Sequence, residues 1–212
     1  MPLCEACRAD LVPLQAPLCA SCGQALAGAF DLAVPCGACR RRPPTFEAAR
    51  APWVYRGRMP HLVQAFKYRA RWRVGRWLAS EMAETAQHTL PLEDIDALLP
   101  VPLHWLKRWG KGFNPAEYLA ADVARRLRKP LLRGALRRVR WTASQTRLQG
   151  PARRRNVARA FAAAERLVAG RALLLVDDVL TTASTAEACA DALARAGARR
   201  VFVLPAARTP LT

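Results

Sequence analysis

No apolar run in the 212-residue chain approaches the ~20 residues that a membrane-spanning helix needs, so the sequence predicts no membrane span. The N-terminal stretch MPLCEACRAD also lacks the basic segment and the following apolar segment of a secretory signal peptide. These two absences predict a cytoplasmic protein. Because cytoplasmic thiols are kept reduced, clustered cysteines in such a chain indicate metal ligands before disulfides.

Acidic residues are also scarce: the chain has 16 Asp and Glu against 34 Lys and Arg, for a formal net charge of +18. Such an excess of positive charge makes anions the expected partners, among them phosphate esters, nucleic acid and anionic lipid surfaces. A solvated basic surface without a specific partner is the alternative interpretation. A Walker-type nucleotide site is disfavoured, because no glycine precedes Gly110 and Lys111 at the required spacing.

The distribution of cysteine divides the chain into two parts. Six of the seven Cys lie in the first 39 residues, whereas the remainder alternates apolar strands with helical stretches. We expect a Cys-rich module over residues 1–44 and a larger domain over residues 45–212, with the boundary near the Arg- and Pro-rich stretch RRRPPTFEAA. Strands and helices in alternation predict an α/β fold, in which a mostly parallel sheet is covered by helices on both faces.

The cysteines of the first part form three Cys-x2-Cys pairs. A two-residue gap lets both thiolates of a pair bind one tetrahedral zinc ion. A module this small cannot be stabilised by apolar burial alone, so a bound metal ion is the expected source of its stability. No His stands beside the pairs, so the sequence predicts a structural zinc site; a disulfide framework is the alternative. One ion takes four ligands, and the spacing leaves open whether the second and third or the first and third pairs supply them. The six candidates are Cys4, Cys7, Cys19, Cys22, Cys36 and Cys39.

The segment LLLVDDVLTTASTAEA places two carboxylates after a buried strand and before a helix. Ligands bind at the carboxyl edge of a parallel sheet, and the free N–H groups of a helix N-terminus favour an anion. Carboxylates can accept hydrogen bonds from sugar hydroxyls and work with Mg²⁺. A sugar phosphate satisfies both halves, whereas an acidic strand end before a Thr/Ser-capped helix is the alternative. The candidate residues are Asp177, Asp178, Thr181, Thr182, Ala183, Ser184 and Thr185.

Basic residues and aromatic residues alternate in several stretches. Between Arg40 and Trp77 there are eleven Lys or Arg, one acidic residue and five Trp or Tyr. Cations neutralise phosphates and aromatic faces stack on unpaired bases, which predicts sequence-tolerant binding of single-stranded DNA. The alternative is that the Trp residues anchor helices and the Arg residues are solvated. The loop cations Lys107, Arg108 and Lys111 are the favoured contacts, because they lie where phosphates should arrive.

The acidic segment resembles the phosphoribosyl-pyrophosphate (PRPP) loop of type I phosphoribosyltransferases. Two further segments, LLPVPLHWLKRWGKGFNPAEYLA and RVRWTASQTRLQGPARRRNVARAF, resemble those of the ComF family. With the cysteine pairs, the resemblance covers essentially the whole chain. It implies a zinc-binding module on a phosphoribosyltransferase-like domain, in a family tied to natural competence, the uptake and handling of transforming single-stranded DNA.

The resemblance also implies residue roles. Asp177 and Asp178 would contact the ribose hydroxyls of Mg²⁺-bound PRPP, residues 181–185 would bind its 5′-phosphate, residues 101–108 would form the pyrophosphate loop and residues 142–156 the mobile loop. Two hypotheses remain open: an accessory protein that passes single-stranded DNA to other competence or DNA-processing proteins, and an active Mg²⁺-dependent phosphoribosyltransferase with an unidentified acceptor.

Two departures from the family pattern bear on these roles. Ala183 stands where the family has Gly, and it costs about 1 kcal/mol if the backbone there needs a positive φ. Pro115 stands where the family's Gln follows Phe-Asn.

Overall fold

A parallel sheet organises the chain in the computed structural model, which describes residues 3–26, 28, 34–103, 113–139 and 160–210. Its strands are β1 (Ala48–Ala49), β2 (Trp53–Val54), β3 (Ala97–Pro100), β6 (Ala172–Leu180) and β7 (Arg200–Arg208). Strand β6 lies between β3 and β7, while β1 and β2 pair with the outer side of β7, and every pairing is parallel. Strands β4 (Leu136–Arg138) and β5 (Phe161–Ala163) form a separate antiparallel pair.

Seven α-helices accompany the strands in the described residues. They are α1 (Glu5–Ala9), α2 (Gly37–Arg41), α3 (Met59–Arg69), α4 (Trp72–Thr89), α5 (Pro115–Leu127), α6 (Glu165–Val168) and α7 (Ser184–Arg195), together with a 3-10 turn at Leu92–Asp94. None of the helices in the described ranges has the length and apolar character that a bilayer crossing requires.

Both faces of the sheet are buried. Successive side chains of a strand point to opposite faces, and in β6 the alternate residues Leu174 and Val176 pack with α3, α4 and α5. Leu173 and Leu175 pack on the other face, with α7 and the β4–β5 pair. This two-sided burial explains the continuous apolar run of β6 and confirms the predicted α/β class.

The sequence predicts strands over RAPWVYRG and RALLLVDD, and both differ in length in the structure. Only Trp53–Val54 of the first stretch is a strand, because β2 pairs with the last residues of β7 alone. The second strand, β6, runs to Leu180, beyond the predicted end at Asp178. Helix α4 begins at Trp72, two residues before its first buried side chain, Val74.

The N-terminal part of the chain packs against the β1–β2 edge of the sheet. The backbone N–H of Val54 donates to Val12 O at 2.9 Å, and the N–H of Ala49 donates to Ser21 O at 2.7 Å. These bonds continue the edge beyond β1 and β2 and satisfy backbone groups that an uncovered edge would leave open. The division into residues 1–44 and 45–212 stays a prediction.

Candidate functional site

Four cysteines from two of the three pairs come together in space. Cys19 and Cys22 lie in a tight turn, in which the N–H of Cys19 donates to Gln24 O at 2.8 Å. Cys36 is the N-cap residue of α2 and Cys39 lies within that helix. The four thiol sulfurs all lie within 4.8 Å of one another. The structure therefore joins the second and third pairs, a choice that the spacing had left open.

The geometry of this cysteine cluster fits a tetrahedral metal ion. Sulfurs that each lie about 2.3 Å from a zinc ion are about 3.8 Å apart, and Cys22 Sγ lies 3.9 Å from Cys36 Sγ. The N–H groups of Cys36 and Cys22 donate to Cys19 Sγ at 3.1 and 3.4 Å. Burial disfavours the charged thiolate of Cys19, but these N–H groups outweigh it and lower the pKa to about 7. The cluster could therefore hold a metal ion such as zinc.

Gly23 holds the cysteine cluster against the sheet. Its φ of +67° lies in the left-handed region, and a Cβ at this position would lie 2.2 Å from the carbonyl oxygen of Ala49 in β1. Only glycine meets both demands without strain. The glycine of the CASCG motif is thus explained both by its turn and by the close approach of two backbone segments.

The first cysteine pair lies outside the cluster. Cys4 is the exposed N-cap residue of α1, and Cys7 is half-buried in that helix. A hydrogen bond from the Cys7 backbone lowers the pKa of the Cys4 thiol. Within the part of the chain that the structure describes, the four-cysteine cluster is the only group of three or more possible ligands. A metal-binding role for Cys4 and Cys7 stays a prediction.

The acidic pair, Asp177 and Asp178, lies within β6 at the point where the sheet narrows. Strand β3 ends at Pro100, opposite Val176, whereas β7 continues beside β6 as far as Leu180. Asp177 Oδ1 accepts the N–H of Asp178 at 2.8 Å. The pair is therefore held on a rigid strand and is partly exposed where the neighbouring strand has stopped.

Lys67 is a site residue that sequence reasoning missed. It reaches from α3 to the acidic pair, where Nζ lies 2.7 Å from Asp178 Oδ1, with both side chains mostly buried. Burial lowers the pKa of Lys67, but the charge of Asp178 outweighs it and raises the pKa above its usual value. The available signal was its position four residues after Val63 on the buried face of α3.

The small-residue loop, residues 181–185, connects β6 to the N-terminus of α7. Thr182 Oγ1 and Ser184 Oγ are hydrogen-bonded at 2.9 Å. Ala183 has φ +60° and ψ −2°, a left-handed conformation that costs a non-glycine residue about 1–2 kcal/mol. Helix α7 thus begins at Ser184, a short loop after the acidic pair, and one strained alanine stands immediately before it.

The start of α5 is tied to the backbone that follows β3. Asn114 caps the helix, since its side-chain oxygen accepts the N–H of Ala116 at 3.1 Å, and its Nδ2 donates to Val101 O at 3.1 Å. Pro115 occupies the first helical position, where its missing N–H removes no helical hydrogen bond. The departure from the family's Gln therefore suits the local structure.

The other loop residues predicted from the sequence lie outside the described residues. These are the favoured cations Lys107, Arg108 and Lys111, most of the predicted pyrophosphate loop, and the predicted mobile loop over residues 142–156.

The aromatic residues of the basic stretches have divergent environments. Trp53 and Trp77 are half-buried, with ring centroids 5.7 Å apart, and serve as anchors. Tyr68 and Trp72 are 67% and 41% exposed. The ring of Trp72 also lies 4.8 Å from that of Phe113, so it is held in place while part of it faces solvent.

Comparison with known proteins defines the class of the larger domain. Residues 115–205 match the family described as "Phosphoribosyl transferase domain". The chain is also similar to a solved structure titled "structure of the allosteric regulatory enzyme of purine biosynthesis", at 21% identity and a TM-score of 0.46, over 68% of this chain and 30% of that one. The family match shows that the larger domain has a phosphoribosyltransferase-like fold, and the roles of the acidic pair and the small-residue loop stay predictions.

The relatives of the whole chain define its family. "Competence protein F" of Haemophilus influenzae is 30% identical over 211 residues, which cover 97% of this chain and 90% of that protein. "DNA utilization protein YhgH" of Escherichia coli O157:H7 is 34% identical over 196 residues, which cover 91% of this chain and 84% of that protein. The chain belongs to the family of these two proteins, the ComF family that its motifs predicted.

The cysteine cluster predicts how metal content depends on individual thiols. Cys39→Ser should abolish the binding of one metal ion per chain, because it removes one of the four ligands of the cluster. Cys4→Ser, the matched control outside the cluster, should retain the ion. Elemental analysis of the purified variants measures this, and retention of the full metal content by Cys39→Ser would contradict the ligand set.

The conformation of Ala183 predicts that Ala183→Gly stabilises the protein. Relief of ~1–2 kcal/mol of left-handed strain, less the ~0.5–1 kcal/mol entropic cost of glycine, gives a gain of about 0.5–1 kcal/mol in the free energy of unfolding. Ala194→Gly, on an exposed helical position of the same helix, should instead destabilise by about 1 kcal/mol. Urea denaturation measures the free energy of unfolding of both variants. If both variants lose the same stability relative to the wild type, the strain at Ala183 is refuted.

Proposed function

We propose that the chain is a PRPP-binding protein that acts in DNA uptake or use, as the names of its relatives suggest for them. In this proposal Mg²⁺-bound PRPP lies over the acidic pair and the small-residue loop. The proposal rests on the position of two carboxylates near the end of β6, a short loop before the N-terminus of α7, inside a phosphoribosyltransferase-like domain.

The residues of the site suit the two halves of this ligand. Oxygen donors of Asp177 and Asp178 match the preference of Mg²⁺ and can accept hydrogen bonds from the ribose hydroxyls. The hydroxyl of Thr182 and the N-terminus of α7 suit a phosphate, and the buried Ser184 holds the Thr182 hydroxyl in place. When bound, Mg²⁺ would neutralise charge between the sugar and the pyrophosphate. The acidic pair would orient the ribose from a strand that cannot shift without breaking the sheet.

In this arrangement Lys67 is a positioning residue. Its ion pair with Asp178 orients that carboxylate and reduces the negative charge that the acidic pair presents to an anionic ligand. Since it reaches the site from α3, on a different element from the acidic pair, it also ties the first helix of the domain to the ligand.

The cysteine cluster supports the assignment of a structural zinc ion. Its donors are four thiols, with neither a carboxylate nor a His in the set. Four protein ligands leave no open position for a substrate, as in structural sites. The ion would hold the turn at Cys19 and Cys22 to α2.

The exposed aromatic residues support binding of single-stranded DNA as part of the same function. Tyr68 and Trp72 lie on either side of the junction between α3 and α4, among the exposed cations Arg69, Arg71 and Arg73. Bases can stack on the two rings while the guanidinium groups contact phosphates, without sequence preference. This surface adds a second candidate contact to Lys107, Arg108 and Lys111, whose contact with DNA stays a prediction.

The proposed PRPP site predicts that Asp177→Asn weakens the binding of PRPP at least tenfold. This corresponds to a loss of about 1.4 kcal/mol in the free energy of binding. Asp177→Asn is preferred to Asp178→Asn because it leaves the ion pair of Lys67 intact. The control is Asp10, an exposed carboxylate at the C-terminal end of α1. Asp10→Asn should bind PRPP like the wild type. Calorimetry with Mg²⁺ measures both variants, and no heat from the wild type would refute the ligand. Pyrophosphate release in the same sample would establish turnover.

The proposed DNA-binding surface around Tyr68 and Trp72 predicts that Tyr68→Ala weakens the binding of a single-stranded oligonucleotide about fivefold or more. The reason is that stacking contributes ~1–3 kcal/mol per base. The double variant Arg71→Ala with Arg73→Ala loses two phosphate contacts. It should therefore reduce the slope of log binding constant against log salt concentration by about 1.4 in magnitude. Fluorescence anisotropy across a salt series measures both effects.

The matched control is Arg166→Ala with Arg195→Ala, which removes the same charge from exposed positions on α6 and α7. If this control lowers the slope as much as the Arg71/Arg73 pair does, binding follows net charge and the assigned surface is refuted.

A further inference from the structure

All three Cys-x2-Cys pairs share one local backbone conformation, although only two of them meet in the cysteine cluster. In each pair the N–H of the residue four positions after the first cysteine donates to the carbonyl oxygen of that cysteine. The distances are 3.0 Å from Arg8 to Cys4, 3.0 Å from Gly23 to Cys19 and 2.9 Å from Arg40 to Cys36. Cys4 and Cys36 also cap their helices with nearly equal angles, φ −73° and ψ 163° against φ −66° and ψ 165°. The first pair therefore has the backbone of a pair that belongs to the cluster.

The sulfurs of the first pair are arranged like those of a cluster pair. The backbone N–H and the thiol of Cys7 hydrogen-bond the Cys4 sulfur, and these bonds lower the pKa of the Cys4 thiol. In the cluster, the N–H of Cys22 donates in the same way to Cys19 Sγ, at 3.4 Å. Such donors stabilise the thiolate, which is the form of cysteine that binds a metal ion. The first pair is thus already arranged as two metal ligands.

Two ligands are half of what a tetrahedral zinc ion takes. The thiols of the first pair are free, with Cys4 exposed and Cys7 half-buried. Among the residues that the structure describes, neither belongs to a group of three or more possible ligands. The surface of α1 therefore presents an incomplete site, which a second pair of thiolates would complete.

A second copy of the chain carries the same pair on the same surface. When two copies meet around a two-fold axis, each residue faces its equivalent, so both pairs can bind one ion that lies on the axis. The charges of α1 and its surroundings do not oppose this contact, because Glu5 and Asp10 offset Arg8 and Arg58. This balance contrasts with the formal net charge of +18 on the whole chain.

We propose that Cys4 and Cys7 form half of a second metal site, in which the same pair of a second copy supplies the other two thiolates and one zinc ion joins the two chains. Four zinc–sulfur bonds form, and the thiols release their protons to solvent. The site is separate from the cysteine cluster and does not depend on the binding of PRPP or DNA.

The experiment measures the zinc content and the molecular mass of the full chain after zinc loading and dialysis, by elemental analysis and light scattering. A phosphine reductant is present throughout, so that no disulfide joins the chains. The wild type should be a dimer with about three zinc ions, one in each cluster and one shared. A chelator that removes the shared ion should dissociate the dimer, and added zinc should restore it.

Cys4→Ser should be a monomer that holds about one zinc ion, that of the cluster. Retention of this ion shows that the cysteine cluster is still folded, so the loss of the dimer is then a loss of ligands. Glu5→Gln is the matched control, since it changes the exposed neighbour of Cys4 and leaves both thiols in place. It should remain a dimer with the zinc content of the wild type.

Two results would overturn the proposal: a wild type that stays a monomer after zinc loading, whatever its zinc content, and a dimer that Cys4→Ser leaves intact. A monomer with two ions would assign the remaining ligands to the same chain. A dimer that survives Cys4→Ser would assign the contact between copies to another surface.

Discussion

The central position of β6 is the constraint on which the rest of the molecule depends. This strand is paired on both sides and covered on both faces, so its backbone can neither shift nor rotate without breaking the sheet. Strand β3 stops at Pro100 while β7 continues. The acidic pair therefore occupies a rigid strand with one open side, where carboxylates can be both fixed in place and accessible.

The same sheet positions the cysteine cluster. Strand β7 ends at Arg208, which hydrogen-bonds Gln24 in the turn that follows Cys22, and Gly23 lets that turn approach β1. Metal binding would order the turn and α2 together, because the four ligands come from both.

Local pattern was sufficient for much of this structure. The apolar run before Asp177 predicts a doubly covered parallel strand, and the three Cys-x2-Cys pairs predict a metal cluster in the N-terminal part. The lengths of β2 and β6 were not predictable in the same way, because each strand ends where its neighbour stops offering hydrogen bonds. The sequence of one strand does not show where the neighbouring strand ends.

The sequence by itself determined the α/β class, the family and the residue types of both candidate sites, since these follow from periodicity, spacing and motif. Only the tertiary structure decided that the second and third cysteine pairs meet, that Lys67 pairs with Asp178 and that Arg208 hydrogen-bonds Gln24. It also decided that Ala183 adopts a positive φ. The reason is that each of these contacts joins residues distant in the chain or depends on a backbone angle, and packing of the whole sheet sets both.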